Sequence, residues 1–487
     1  MGNDGMILPK LKVLDISGSK KLISTPDFDT FPCLERIKLN SCRKLKHIHP
    51  SISYHEKLVS VDMSNCSSLK TFPPISGMKK LEILILDGCS RLCNFPDIQT
   101  NMDNLVYLYL RQTGIKVVPS SIGQYCTNLI SLNLGFCKRL KHIECNFHLL
   151  EHLKELNLSG CKRLKILEQV PGLLNRFFNN LHPGTKFLGF PSSLMKLRLL
   201  WCDWKYEDIS YVLRELSNLQ VLDLSMNDFS RLHCSLLQLR SLKFLTLSNC
   251  ENLVELPDLP ESIAVLRATD CFKLGIVDLP TNLKWLWRIS LPMDCISGDV
   301  GIKVQSMLQG NAINDYSISI SFYAPPMPIR AISRTLMLEL PRNWYNEFSG
   351  FLICINDWFR GNNGVITIKD VMGRENKDVM EVSDGTSNPT FGSICYIYIS
   401  FGSLRHTSWW KSKHTTISFS IADKHTNLKV ELVPGRSKGD SIERSKDTTN
   451  SSKFWDTDPI KVKRDSESCI EIQWDHGYEY TSNAFDP

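Results

Sequence analysis

Apolar residues recur along the first half of the chain in one spacing, L-x-x-L-x-L-x-x-C-x-x-L. It opens with Leu11, Leu14, Ile16, Ser19 and Leu22 and returns with Leu34, Ile37, Leu39, Cys42 and Leu45. It follows again with Leu58, Val61, Met63, Cys66 and Leu69, then with Leu81, Leu84, Leu86, Cys89 and Leu92. Further openings fall at Leu105, Leu129, Leu153, Leu194, Leu219, Leu242 and Ile263, in steps of 23, 24, 23, 24, 24, 24, 41, 25, 23 and 21 residues. The L-x-L of each unit has period two and predicts a short strand with its leucines on one side. One unit cannot bury its own leucines. Stacked units share a continuous core and curve into a horseshoe-shaped solenoid. The long step predicts an insertion around 165–190, where the coil loops out or a degenerate repeat hides.

Eleven units in register fit the period of leucine-rich repeats, roughly 20–29 residues. The small residue after each strand is Cys42, Cys66, Cys89, Cys137, Cys161, Cys202, Cys250 or Cys271, with Ser19, Thr113 and Asn227 in the same slot. A small side chain there fits the turn and bonds backbone groups. Eight of the 17 cysteines are thereby read as buried structural thiols. The odd total also argues against a disulfide framework.

Residues two, four and six places after each opening residue are expected on the open face of the sheet. Ile83, Ile85, Tyr107, Tyr109 and Arg111 fall there on adjacent predicted strands. Arg198, flanked by Trp201 and Trp204, forms a second group with Phe244, and Arg267 follows two repeats on from Val221. Exposed aromatic, apolar and Arg side chains on one surface are what protein-binding hot spots are made of. The alternative is that another part of this chain, or of a larger parent, packs there. Between the two groups lie the plainer Ser131, Asn133, Gly135, Glu155, Asn157 and Ser159.

The repeats fade after Leu274, with a closing unit suggested by Leu283 and Leu286. Beyond about residue 294 the pattern changes to alternation, as in Ile318, Ile320 and Phe322 against Ser317, Ser319 and Ser321. Eight such strands separated by Gly, Pro, Asn and Ser loops predict an all-β sandwich of jelly-roll or immunoglobulin-like kind. The expected domains are 1–293 for the α/β leucine-rich-repeat solenoid and 294–487 for the sandwich, with a mobile polar loop over 434–468. The aromatic segment from Leu340 through Trp344 and Phe348 to Phe351 is expected to be structural.

Composition narrows the function. The chain has 487 residues, 42% hydrophobic and 22% charged, which is globular material. Lys and Arg number 57 against 51 Asp and Glu, a net +6. Over this length that is too weak to point to nucleic acid or a membrane as partner. No apolar run is long enough for a bilayer span. The first ten residues lack a basic stretch followed by a long apolar one, so no secretory signal is expected. The cytoplasm is the expected location, with the nucleus as an alternative.

His148-Leu-Leu-Glu151-His152 spells a zinc motif. Leu149, Leu150 and Leu153 are, however, expected in the repeat core, and no third ligand suggests itself. No phosphate-binding G-x-x-x-x-G-K-S/T and no G-x-S-x-G occurs. The expectation is a non-enzymatic chain with no metal and no cofactor. Lys461-Val-Lys-Arg464 is read as a solvated strand end, with a nuclear import signal as the alternative.

Several strings resemble the plant intracellular immune receptors of the TIR–nucleotide-binding–LRR class. Leu11-Lys-Val-Leu-Asp-Ile-Ser-Gly, Leu153-Lys-Glu-Leu-Asn-Leu-Ser-Gly-Cys-Lys-Arg-Leu164 and Leu253-Val-Glu-Leu-Pro-Asp-Leu-Pro-Glu-Ser262 are similar to that class's repeats. Leu340-Pro-Arg-Asn-Trp344 through Phe348-Ser-Gly-Phe-Leu-Ile-Cys354 resembles its post-LRR jelly-roll domain, C-JID. The resemblance implies pathogen sensing. In such receptors these regions contact a pathogen effector protein, and the repeats also restrain the nucleotide switch. The implied partner is therefore an effector, or the nucleotide-binding (NB-ARC) domain of a parent or paired receptor. No TIR or nucleotide-binding region is present in this sequence, so the family's NAD-cleaving activity is not assigned to it. The tail has Ala324-Pro-Pro-Met-Pro-Ile-Arg330 where the family commonly carries a proline–glycine–glutamate–isoleucine–proline–tryptophan-like stretch. The first repeat lacks the capping unit that terminal repeats usually have, which leads to the expectation of a fragment or a truncated gene product.

Overall fold

The computed structural model describes residues 7–164, 190–203, 206–214, 216–232, 236–277, 286, 288–292, 295, 318–324, 335–357, 364–370, 392–410, 414–421, 427–434, 460–466 and 469–474. The chain forms two compact units, Met1–Pro260 and Glu261–Pro487.

The first unit is built on ten three-residue parallel strands, from Val13–Asp15 to Phe244–Thr246. Each pairs with the next in a constant register, so that Ile37 faces Val61, Val61 faces Leu84 and Leu84 faces Leu108. These central residues are fully buried or nearly so, as the period-two pattern requires. In the first strand Leu14 is only half-buried. Lys196–Arg198 pairs directly with Glu155–Asn157. No strand of the long insertion comes between them, so the solenoid register resumes across it; residues 165–189 lie outside the described residues.

Each repeat then turns through left-handed backbone at one shared position, and the repeat opening at Leu194 does so again at Asp203. Gly18, Ser41, Asn65, Gly88, Gln112, Phe136, Gly160, Trp201, Met226 and Asn249 all have φ between 56° and 73°. All stand seven places after their repeat's opening residue. Gly, Asn and Ser tolerate this conformation, whereas bulky residues adopt it at a cost. The next residue is the ladder position, where the thiol donates to a carbonyl of the preceding repeat. Cys66 Sγ lies 3.1 Å from Leu39 O, Cys89 Sγ 3.2 Å from Met63 O, and Cys161 Sγ 3.2 Å from Leu134 O. Asn227 makes the same link with its amide, 2.8 Å from Leu199 O. Burial pushes the Cys66 and Cys202 thiols up to about 12. Inert buried thiols are what the repeat spacing predicts.

The motif around His148 adopts a short 3-10 turn, Phe147–Leu149. Phe147 and Leu150 turn inward, but Leu149 is exposed, contrary to its expected place in the core. A 3-10 turn repeats every three residues, so the positions 147, 150 and 153 share the inner side and 149 does not.

In the second unit Val265–Arg267, Arg288–Pro292 and Ile318–Ala324 pair in parallel, and antiparallel strands Gly392–Ser400, Phe348–Asp357 and Asn427–Pro434 extend that sheet. Asp270 and Cys271 repeat the left-handed turn and buried ladder thiol of the first unit. A second sheet runs in the order Thr335–Glu339, Thr416–Ile421, Gly364–Asp370, Cys469–Trp474, Ile460–Ser466, all antiparallel. Both sheets feed one apolar cluster that includes Phe351, Ile353, Ile368, Ile399, Phe419 and Leu428. Trp344 is buried in it, edge-on to Phe401 and Trp410 at 4.9 Å each. Its Nε1–H donates to His414 O at 3.2 Å. The aromatic segment is thus structural, as expected. The loop expected over 434–468 instead contains the strand Ile460–Ser466, because pairing with Cys469–Trp474 overrides its charge. Phe401 begins a short helix rather than ending a strand, with Ser400 capping the Ser403 N–H.

Candidate functional site

The open face of the first sheet carries the residues that flank each buried central leucine. Ile83 stands opposite Tyr107, and Ile85 opposite Tyr109, on hydrogen-bonded neighbouring strands. The two tyrosine rings lie 6.1 Å apart and tilted by 41°. Ile83, Ile85 and Tyr107 are half-buried, but Tyr109 is only 8% exposed. Burial, reinforced by the charge of Glu155, pushes the Tyr109 phenol up to about 12. Tyr107 is therefore the more accessible of the pair.

Arg111 lies beyond its strand's end, with its guanidinium 5.4 Å from the centre of the Phe136 ring. Its backbone N–H donates to Asp87 Oδ1 at 2.6 Å. Burial pushes the Asp87 carboxyl up to about 6, against the pull of that hydrogen bond. Phe136 was not a sequence candidate. Its place at the left-handed turn position, where a small residue is the norm, is the signal that could have found it.

Next on the face come strands with short side chains. Ser131, Asn133 and Asn157 are buried there. Asn133 and Asn157 accept from the N–H groups of Gly135 and Ser159, at 3.0 and 2.9 Å, and so shape the turns. Asp62 and Asp223 do the same for Ser64 and Ser225. These Asx positions are structural, which a face-only reading overlooks. Beyond them Lys196 pairs with Glu155 at 2.5 Å, and Arg198 stands in register between Asn157 and Asp223. Three strand spacings separate Tyr107 from Lys196, about 14 Å. The low floor between the tyrosines and Lys196–Arg198 is the feature that the sequence groups bracket.

Trp201 lies on the turn, not on the strand, with φ of 56°. It is 38% exposed, and Lys162 Nζ sits 4.0 Å from its ring centre. Phe244 is half-buried and pairs with Val221, one strand removed from Arg198. Trp204 lies outside the described residues. Arg267 belongs to the second unit, in register with Ser290.

One cluster has the residue types of a hydrolytic relay. Ser51 Oγ lies 2.8 Å from His49 Nδ1, and Asp27 Oδ1 lies 3.4 Å from the same nitrogen. A relay needs the two ring nitrogens on opposite partners. Here a single nitrogen faces both, and Ser51 Oγ accepts from the Phe28 N–H at 2.9 Å. The cluster caps two short 3-10 turns. Among the described residues no group of three or more His, Cys, Asp or Glu is placed to hold a metal, and no helix is long and apolar enough to cross a membrane.

Parallel strands in register, a buried ladder of small side chains and an open sheet face define a leucine-rich-repeat solenoid. Residues 77–287 match the family described as "Disease resistance protein RPS4B-like, leucine-rich repeats". That stretch is a leucine-rich-repeat region of the plant disease-resistance type. The chain is 28% identical to TMV resistance protein N of Nicotiana glutinosa over 489 aligned residues, covering 88% of this chain and 43% of the relative. It is 30% identical to disease resistance protein RPS4B of Arabidopsis thaliana over 274 residues, covering 56% of this chain and 19% of the relative. The chain thus spans less than half the length of either relative. Among solved structures, the leucine-rich repeat domain of the type III effector XopL matches with 16% identity and a TM-score of 0.24, over 60% of this chain and 72% of that one. That likeness is too slight to bear on the fold.

Proposed function

We propose that the open face of the repeat sheet is a protein-recognition surface that senses a pathogen effector in plant defence. What supports this is the pairing of Ile83 and Ile85 with Tyr107 and Tyr109 on neighbouring strands. Aromatic anchors beside aliphatic side chains, with an arginine close by, are the usual composition of a hot spot. The short floor at Ser131 and Asn133 leaves room beside Tyr107 for a partner's side chain. On this reading Arg198, Trp201, Trp204, Phe244 and Arg267 add further contacts, no chemistry is catalysed, and the chain works in the cytoplasm. The domain boundary near residue 293 and the jelly-roll assignment of the antiparallel sheets belong to the same reading.

A second reading is regulatory, with the face docking a nucleotide-binding domain of a parent or paired receptor. Arg36 and Lys38, both exposed on the second strand, favour it. The test is a pull-down of the full chain from infected and uninfected plant tissue. A pathogen protein retained only from infected tissue supports effector sensing. Retention of the same host nucleotide-binding receptor from both supports the regulatory reading and overturns the first.

A further inference from the structure

The turns after the strands carry a charge distribution that the whole-chain balance of +6 averages away. In the first seven repeats, residues 18–25, 41–48, 65–72, 88–95, 112–119, 136–143 and 160–164 hold thirteen Lys and Arg and no Asp or Glu. All thirteen are exposed. The alternation that buries the ladder also aims them to one side. In the sixth repeat Cys137 and Leu140 turn inward, while Lys138, Arg139 and Lys141 stay in solvent.

Backbone hydrogen bonds hold successive turns in register. The Lys46 N–H donates to Ile23 O at 2.8 Å, and the Lys141 N–H to Lys116 O at 2.8 Å. Repeats stack about 4.8 Å apart, so the basic flank runs for about 30 Å. Among the described residues only Lys162 of the set is in an ion pair, with Asp203 at 3.5 Å. There the stripe ends. The following turns mix the two signs, with Asp203, Asp228, Glu251 and Glu255 alongside Lys205 and Arg231.

Like charges stacked at this spacing repel one another, which opposes folding and calls for a function. The composition says what kind. Nine of the thirteen are Lys, point charges without the planar fork that reads a carboxylate or phosphate bidentately. Lys is also depleted from protein–protein interfaces. The seven stretches contain no Tyr or Trp, and of their three Phe residues Phe72 and Phe95 are buried, which leaves Phe136 alone partly exposed and no row of rings for the stacking that single-stranded nucleic acids use. Parallel rows of flexible cations suit a planar array of anionic headgroups, which engages every row at once.

We propose that this flank docks on an anionic lipid surface, independently of the recognition face. The test is co-sedimentation of the full chain with phosphatidylcholine vesicles, with and without phosphatidylserine. The chain is expected to sediment with the phosphatidylserine vesicles at low salt, to be released at high salt, and to stay in solution with phosphatidylcholine alone. The combined Lys138→Gln, Arg139→Gln and Lys141→Gln variant should lose at least about tenfold in partitioning. Because it removes repulsion at exposed sites, it should unfold at the same or a higher temperature, which separates lost binding from lost folding. Equal sedimentation with both vesicle types, or unchanged partitioning of the variant, would overturn the proposal. So would tighter binding to duplex DNA than to phosphatidylserine vesicles at equal anion concentration, which would assign the flank to nucleic acid.

Discussion

The ring of Phe136 fills the space that a Cβ on Gly160 would need, because such an atom would lie 2.6 Å from Phe136 Cδ1. Gly160 also has φ of 69°, a conformation that side chains disfavour. Both constraints act on the Gly160→Ala variant, which is expected to lose about 1–3 kcal/mol of stability. Urea unfolding of the two chains measures it, and an unchanged midpoint would contradict the close packing of this turn.

Asp87 has a pH signature of known sign. Burial raises its folded carboxyl from 3.8 to about 6. The folded state therefore holds the proton more tightly than the unfolded state between those values, and the contribution of this group to stability falls as pH rises. The cost of the ionised form is fully present above about pH 6 and absent below about pH 4. Asp87→Asn keeps an oxygen for the Arg111 N–H and lacks the charge. It should be more stable than the parent chain at pH 7.5, with the advantage vanishing as pH falls through that window. Thermal melts across pH measure the difference.

The thiols should divide sharply by reactivity. Burial pushes Cys66, Cys126 and Cys202 up to about 12, so little thiolate exists near neutral pH. Cys33 and Cys93 are partly exposed. Brief alkylation of the native chain at pH 8, read by peptide mass spectrometry, should label Cys33 and Cys93 and spare the ladder. Early labelling of Cys66 would contradict the packed solenoid.

In the second unit Trp344 joins the core to the backbone of His414. Trp344→Ala removes a large buried ring and should cost about 3–5 kcal/mol. Loss of the near-ultraviolet aromatic signal at a lower denaturant concentration is the expected observation.

The repeat was legible because its physics is local and repeated. Leu84, Leu108 and Leu132 announce their burial through spacing alone, and so do the ladder thiols. The face residues Ile83 and Tyr107 were legible for the same reason, since period two fixes which side chains share a surface. What the spacing does not encode is depth. Tyr109 occupies the same kind of position as Ile85, yet it is only 8% exposed where Ile85 is half-buried. The spacing places Trp201 beside the face, but it stands on the left-handed turn that follows the strand. The polar, charged composition of 434–468 predicts a loop there, with only a strand end at Lys461–Arg464, and the strand Ile460–Ser466 falls inside it. A strand at the edge of a sheet tolerates charged residues, and its partner Cys469–Trp474 is only two residues away.

Protein recognition by the face around Tyr107 is the proposal on which the other contacts depend. A photo-crosslinking residue in place of Tyr107 tests it most directly, with the same residue at Tyr54, exposed and away from the strands, as reference. After irradiation in extract of infected tissue, position 107 should capture a pathogen protein that position 54 does not, and unlabelled parent chain should compete it away. Capture of nothing at position 107, or of the same proteins at both positions, would contradict the account.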